Sequence, residues 1–243
     1  MSEDEAIMVN DGIYWVGFSD VKAGFSNNPY LIVDGDSVVL FDPGSRRPEH
    51  FGVVRRKIES VVPVEKINVI VCSHQDPDLC ASVPLFEEII GVDNFEFITT
   101  WRTSLLVPYY DIKTEVTTVE DGDILELDNG RSLMFITAPY LHFAGAHVTY
   151  DMKCKTLFSG DICGAFTSNW KIFADDDYIE AMRIFHEPYI GHKDIIASFL
   201  KKVQRLGIEI DMICPQHGSV IRKDMVPKAL QALASFEVGS WLI

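Results

Sequence analysis

The sequence predicts a mixed α/β (α+β) fold: a four-layer αβ/βα sandwich, with two mixed sheets face to face and helices outside. Three observations carry this. Strand-length apolar runs and helix-period segments come in two similar batches, each mainly strands first and then helices. The stricter strand–helix alternation of a doubly wound parallel sheet is missing. The sequence also has no G-x-G-x-x-G and no Walker segment to mark a nucleotide fold.

The first batch opens with the strand-like runs GIYWVGF, NPYLIV and DSVVLFD, separated by Gly, Asn and Asp turns. Phe51, Val54, Ile58 and Val61 then fall on one helical face. The buried strand INVIV follows, then a short helix near VPLFEEII and the strand FEFITT. In the second batch, TTVEDGDILEL and SLMFITAPYLH flank Asp128-Asn129-Gly130, a hairpin signal because Asn-Gly readily takes φ > 0. HVTYDM and CKTLFSG are the next strands. Two helical stretches separated by Pro188 and Gly191 come after them, since Pro ends or kinks a helix. A last strand, DMICPQH, and a helix, VPKALQALASF, complete the series.

Composition limits the function classes. With 243 residues, 47% of them hydrophobic and 11% aromatic, the chain can bury a sizeable core, and residues 1–243 read as one domain without a linker or clear repeat. A net charge of −15 disfavours nucleic acid and anionic membranes as partners. No apolar run reaches the length of a membrane span, and the acidic start MSEDEAIMVN lacks the basic-then-apolar order of a signal peptide. Five cysteines, none in C-x-x-C spacing, fit a reducing cytoplasm better than a disulfide framework.

The chemistry collects at strand ends. INVIV runs into Ser73-His74-Gln75-Asp76-Pro77-Asp78-Leu79-Cys80. By itself this segment reads equally as a turn with Asp78 capping a helix near Ala81. Three more strands end in the same way: SLMFITAPYLH at His142, with His147 nearby, KTLFSGD at Asp161, and DMICPQH at His217. Loops over a rigid sheet are where functional groups sit, and four such coincidences exceed what turn chemistry explains. Three imidazoles and three carboxylates are more than one catalytic zinc takes, so two metals are expected. Oxygen-rich ligation with imidazole and without thiolate suits iron or manganese, and an oxidised iron pair needs an extra anion such as an oxo or hydroxo bridge. Asp161, alone on its strand, is the natural bridging carboxylate.

These motifs resemble the metallo-β-lactamase fold and, within it, the diiron domain of the flavodiiron proteins, over essentially the whole chain. The family's first motif, His-x-Glu-x-Asp-His, is present as His74-Gln75-Asp76-Pro77-Asp78-Leu79. PYLHFAG, LFSGDICGAF and PQHG are similar to the later ligand segments. The resemblance implies two iron ions, one held by His74, Asp76 and His142, the other by Asp78 and His217, with Asp161 between them. It departs in two places: Asp76 stands for the usual Glu, and Leu79 for a second-site His, which leaves the second iron either an open position or a water. Hydrolytic members use His-x-His-x-Asp-His, which this chain lacks at Asp76 and Leu79, so a dinuclear zinc hydrolase is the weakest reading.

Flavodiiron reductases carry FMN on a flavodoxin-like domain, and no phosphate-binding loop for FMN is expected here. The chain therefore resembles the stand-alone oxygen-binding diiron proteins used for sensing, including in chemotaxis. That resemblance implies an O2 (or NO, or peroxide) ligand, a homodimer, and a signalling partner. The alternative is an O2 or NO reductase core fed by a separate electron-donor protein.

Some residues keep two readings. Asp42 either orients a ligand histidine or makes a turn. Tyr140, two before His142 on an expected extended segment, either reaches a bound oxygen species or packs as an aromatic. His147 either substitutes for the missing ligand or supports the site from the core. His50, His186 and His192 are expected at the surface or at helix caps.

Overall fold

The computed structural model describes residues 5–20, 24–166 and 170–239. The first half contains β1 (Ile7–Asn10), β2 (Ile13–Trp15), β3 (Phe18–Asp20), β4 (Phe25–Asn27), β5 (Tyr30–Asp34), β6 (Ser37–Phe41), α1 (Pro48–Glu59), β7 (Val69–Val71), α2 (Pro77–Cys80), α3 (Val83–Ile90), β8 (Glu96–Thr100), α4 (Trp101–Ser104) and β9 (Val116–Val119). The second half contains β10 (Ile124–Glu126), β11 (Ser132–Thr137), β12 (His147–Asp151), β13 (Thr156–Gly160), α5 (Tyr178–His186), α6 (Lys193–Leu206), β14 (Met212–Pro215), β15 (Ile221–Arg222) and α7 (Val226–Ser235).

Two mixed sheets form, in the orders β1-β2-β5-β6-β7-β8-β9 and β10-β11-β12-β13-β14-β15, with β3-β4 as a separate ribbon. Alternation along the strands assigns side chains to layers. In β6, Val39 and Phe41 enter the cluster between the sheets, whereas Val38 and Leu40 face α1 and α3. In β14, Met212 and Cys214 face the other sheet, and Ile213 faces the layer of α5, α6 and α7. Three apolar layers thus separate four layers of structure, as the two-batch pattern predicts. Phe41 and Phe158 stack at 4.1 Å across the middle, one ring from each sheet.

Three boundaries differ from the sequence reading: GIYWVGF covers β2 and enters β3, the SLMFITAPYLH strand ends at Thr137, and the third separates the two sheets. TTVEDGDILEL is two strands. β9 is the parallel edge of the first sheet beside β8, and β10 begins the second sheet as the hairpin partner of β11. A turn at Gly122, whose φ is +92°, divides them. Local pattern alone does not reveal which sheet accepts a strand.

The direction of the strands positions the site. β11 and β13 are both antiparallel to β12, and β13 is parallel to β14. The C-terminal ends of β11, β13 and β14 therefore share one edge. Direct backbone hydrogen bonds from His147 to Ser73 (3.0 Å) and from Asn28 to Gln216 (2.9 Å) bring the first sheet to that edge. Among the described residues no helix is long and apolar enough to cross a membrane.

Candidate metal centre

His74, Asp76 and Asp78 follow β7, His142 follows β11, Asp161 follows β13 and His217 follows β14. The fold brings all six together. His142 Nε2 lies 2.7 Å from Asp161 Oδ2 and 3.3 Å from Asp76 Oδ2. His74 Nε2 lies 3.5 Å from Asp76 Oδ2 and 3.8 Å from Asp161 Oδ2. On the other side, His217 Nε2 is 3.3 Å from Asp78 Oδ2 and 3.4 Å from Asp161 Oδ1. The two oxygens of Asp161 thus face different groups: Oδ2 faces His74 and His142, and Oδ1 faces His217.

Local chemistry aims each group. A register shift between Phe158 and Gly160 re-aims the end of β13. Gly160, at φ +54°, lets the loop approach Ser73: a Cβ there would meet Ser73 Oγ at 2.8 Å. Asp76 sits at the start of α2 without capping it; its Oδ1 accepts from the Gln75 amide at 2.9 Å, and its Oδ2 is left to the histidines. Asp78 lies within α2, ahead of the expected cap near Ala81. The His217 Nδ1–H donates to Ser26 O at 2.7 Å, which leaves Nε2 with a free lone pair. Phe25 stacks on the same ring at 3.9 Å.

Asp42 is buried, and its Oδ1 accepts the Ser73 N–H at 2.7 Å, while Ser73 Oγ lies 3.3 Å from His74 Nδ1. It therefore acts on His74 through Ser73. Burial pushes the Asp42 carboxyl up to about 6, against the hydrogen bond from Ser73 and the His74 imidazole.

The centre is electrostatically tense. Burial opposes ionisation of Asp161, yet the imidazoles of His74, His217 and His142 outweigh it and hold its carboxyl well below the usual carboxylate range. Burial would lower His142, but Asp161 and Asp76 raise it to about 9. Burial, joined by Asp161, raises Asp78 despite His217. His74 Nε2, His142 Nε2 and Asp161 Oδ1 are buried with no hydrogen-bond partner. Orphaned buried donors and acceptors call for a partner. A cation fits them, since His74, His142 and Asp161 offer ligand atoms all within 4.8 Å of one another. The donor set, imidazole and carboxylate without thiolate, suits iron or manganese.

Three expectations change. Tyr140 is exposed and sits in a turn at φ +65°, so it is not on an extended segment that would place it on the face of His142. His186 is not at the surface: it is buried, 2% exposed, with both ring nitrogens engaged. His50 is half-buried, held by Ser45 at 2.9 Å and packed on Phe18. His192 does cap its helix, accepting the Asp194 N–H. His147 is buried in β12 with both ring nitrogens unpartnered, and burial lowers it to about 3, so it is neutral. Leu79 is fully buried in the apolar layer under α1 and α3. Ser26 and Phe25, and the burial of His186, leave no local signal, because their contacts span 191, 192 and 23 residues. Asp42, read from the sequence as either orienting a ligand histidine or making a turn, reaches His74 through Ser73.

Two face-to-face mixed sheets carrying a His/Asp cluster at one strand-end edge define the metallo-β-lactamase-like fold in its flavodiiron form. The chain belongs to the family described as "ODP family beta lactamase", whose sequence profile matches residues 25–218. It is 24% identical over 245 residues to the anaerobic nitric oxide reductase flavorubredoxin of Vibrio vulnificus, covering 94% of this chain and 49% of that protein. It is 27% identical over 244 residues to a nitric oxide reductase of Moorella thermoacetica, covering 90% and 58%. The chain thus spans about half the length of the curated relatives it matches. Among solved structures, rubredoxin oxygen:oxidoreductase from Desulfovibrio gigas superposes with a TM-score of 0.85 at 23% identity, over 95% of this chain and 61% of that one. The chemotaxis sensor ODP, described as a peroxy diiron species, superposes with a TM-score of 0.80 at 26% identity, over 97% of this chain and 96% of that one. The apo state of that sensor from T. denticola gives 0.79.

Proposed function

We propose that this chain is a diiron protein that binds and senses O2. One observation carries the reading: the carboxylate of Asp161 divides its oxygens between two ligand groups, as two metals require. His74, Asp76 and His142 would hold one iron, Asp78 and His217 the other, and Asp161 both. Bound iron would supply the redox chemistry. The protein's part is to present neutral imidazole nitrogens, fixed in direction by Ser26 and by Ser73 with Asp42, and to shield them within the sandwich. The near-complete mutual coverage with the chemotaxis sensor ODP favours sensing through a partner protein, and a homodimer belongs to the same proposal.

A second reading, an O2 or NO reductase core served by a separate electron donor, is favoured by the nitric oxide reductases among the relatives. An optical spectrum of anaerobically iron-loaded protein, followed after one pulse of air, separates the two. A visible charge-transfer band that persists supports sensing. A band that vanishes as added reductant is consumed, cycle after cycle, supports the reductase. No O2-dependent band at all overturns both.

A further inference from the structure

A small cavity lies beside Asp161 and His142, on the side of α5. It is partly open to solvent on the Tyr189 side and offers about 10 Å³ of space to a water-sized sphere, room for roughly one small molecule. Its walls are Leu141, Ile162, Phe185 and Ile190, with His186 and Tyr189 completing them. The Tyr189 ring lies against the His142 ring, centroids 4.2 Å apart, and forms the outer, half-exposed wall.

No polar atom shows on the cavity surface. The reason is specific at His186. Its Nε2 accepts the Cys163 N–H at 3.1 Å, so the ring hydrogen sits on Nδ1, which donates to Met182 O at 2.8 Å. Both nitrogens are spent on backbone, and the ring offers the cavity only carbon. A buried water needs two to four polar partners, and an apolar cavity without them stays dry and accepts apolar guests. An apolar space of this size against two groups of the cluster offers a water no hydrogen-bond partner and suits a neutral diatomic gas, not an ion or a polar metabolite.

We propose that this cavity is a holding site for a neutral diatomic gas, O2 or NO, next to the metal centre. Its use in delivery rests on the diiron reading; its occupancy by an apolar gas does not. Xenon is the probe. Crystals of the iron-loaded protein under xenon pressure are expected to show one atom touching Leu141, Ile162, Phe185 and Ile190. Ile190→Phe fills the space and should lose that atom, and Ile190→Ala should raise its occupancy, so the test survives if one variant folds poorly. At equal iron content, Ile190→Phe should also slow the O2-dependent optical change. An empty cavity in the wild-type protein overturns the proposal. Xenon bound but O2 kinetics unchanged in Ile190→Phe overturns the delivery role. If xenon binds and the iron-loaded wild type shows no response to O2, the diiron reading fails while the gas site stands.

Discussion

Replacing Asp42 by Asn should stabilise the metal-free protein and weaken its hold on iron. The carboxylate is 5% exposed and accepts the Ser73 N–H. Burial is the largest influence on it, and the carboxyl moves from the ordinary 3.8 to about 6. A rise of that size means that ionised Asp42 costs the folded chain about 3 kcal/mol relative to the unfolded chain. Between those two pH values the folded chain keeps a proton that the unfolded chain has released. Stability from this group therefore declines as pH rises from about 4 to 6, and the full cost stands above that window. Asn keeps an acceptor for Ser73 and carries no charge. Urea unfolding of metal-free wild type and D42N should show the difference growing in the variant's favour by up to ~3 kcal/mol between pH 4 and pH 7. With cations bound, the sign reverses, because nearby positive charge favours ionised Asp42. Iron affinity of D42N should then fall by roughly 10–100-fold, as for other groups that orient ligands. A stability difference that is flat with pH would refute the buried-charge reasoning, and unchanged iron affinity would refute the route through Ser73.

Three further outcomes follow from the same geometry. Asp161→Asn removes the charge shared by His142, His74 and His217, and iron per chain, measured by metal analysis after desalting, should drop well below two. Ferrous ion binding near pH 7.5 should release about one proton from His142, which Asp161 and Asp76 raise to about 9 and which must be neutral to ligate; calorimetry in buffers of different ionisation enthalpy checks it, and equal heats would count against it. Arg131→Ala, at the buried contacts with Asp151 (3.4 Å) and Asp34 (3.7 Å), should cost about 3–5 kcal/mol in urea unfolding while iron content stays at the wild-type level.

The sequence by itself determined the layers and the list of candidate ligands. Apolar periodicity marks which faces need burial, and the two batches of strands and helices need two sheets with helices outside. His74, Asp76, Asp78, His142, Asp161 and His217 were legible because each follows an apolar run, and strand ends are local features. What only the tertiary structure decided is direction and company. β9 joined the first sheet although its sequence runs on into β10, because parallel pairing with β8 is a long-range choice. Tyr140 left the expected extended path for a turn, so the two-residue spacing to His142 lost its meaning. His186, surface-like by its neighbours Glu187 and Pro188, is buried because α5 folds back onto the Asp161 loop and offers its ring to the Cys163 N–H. The split of Asp161 between two ligand groups, and the apolar cavity beside it, exist only where segments far apart in the chain meet. Periodicity records what each segment must bury, whereas the partner it is buried against is set by packing across the whole chain.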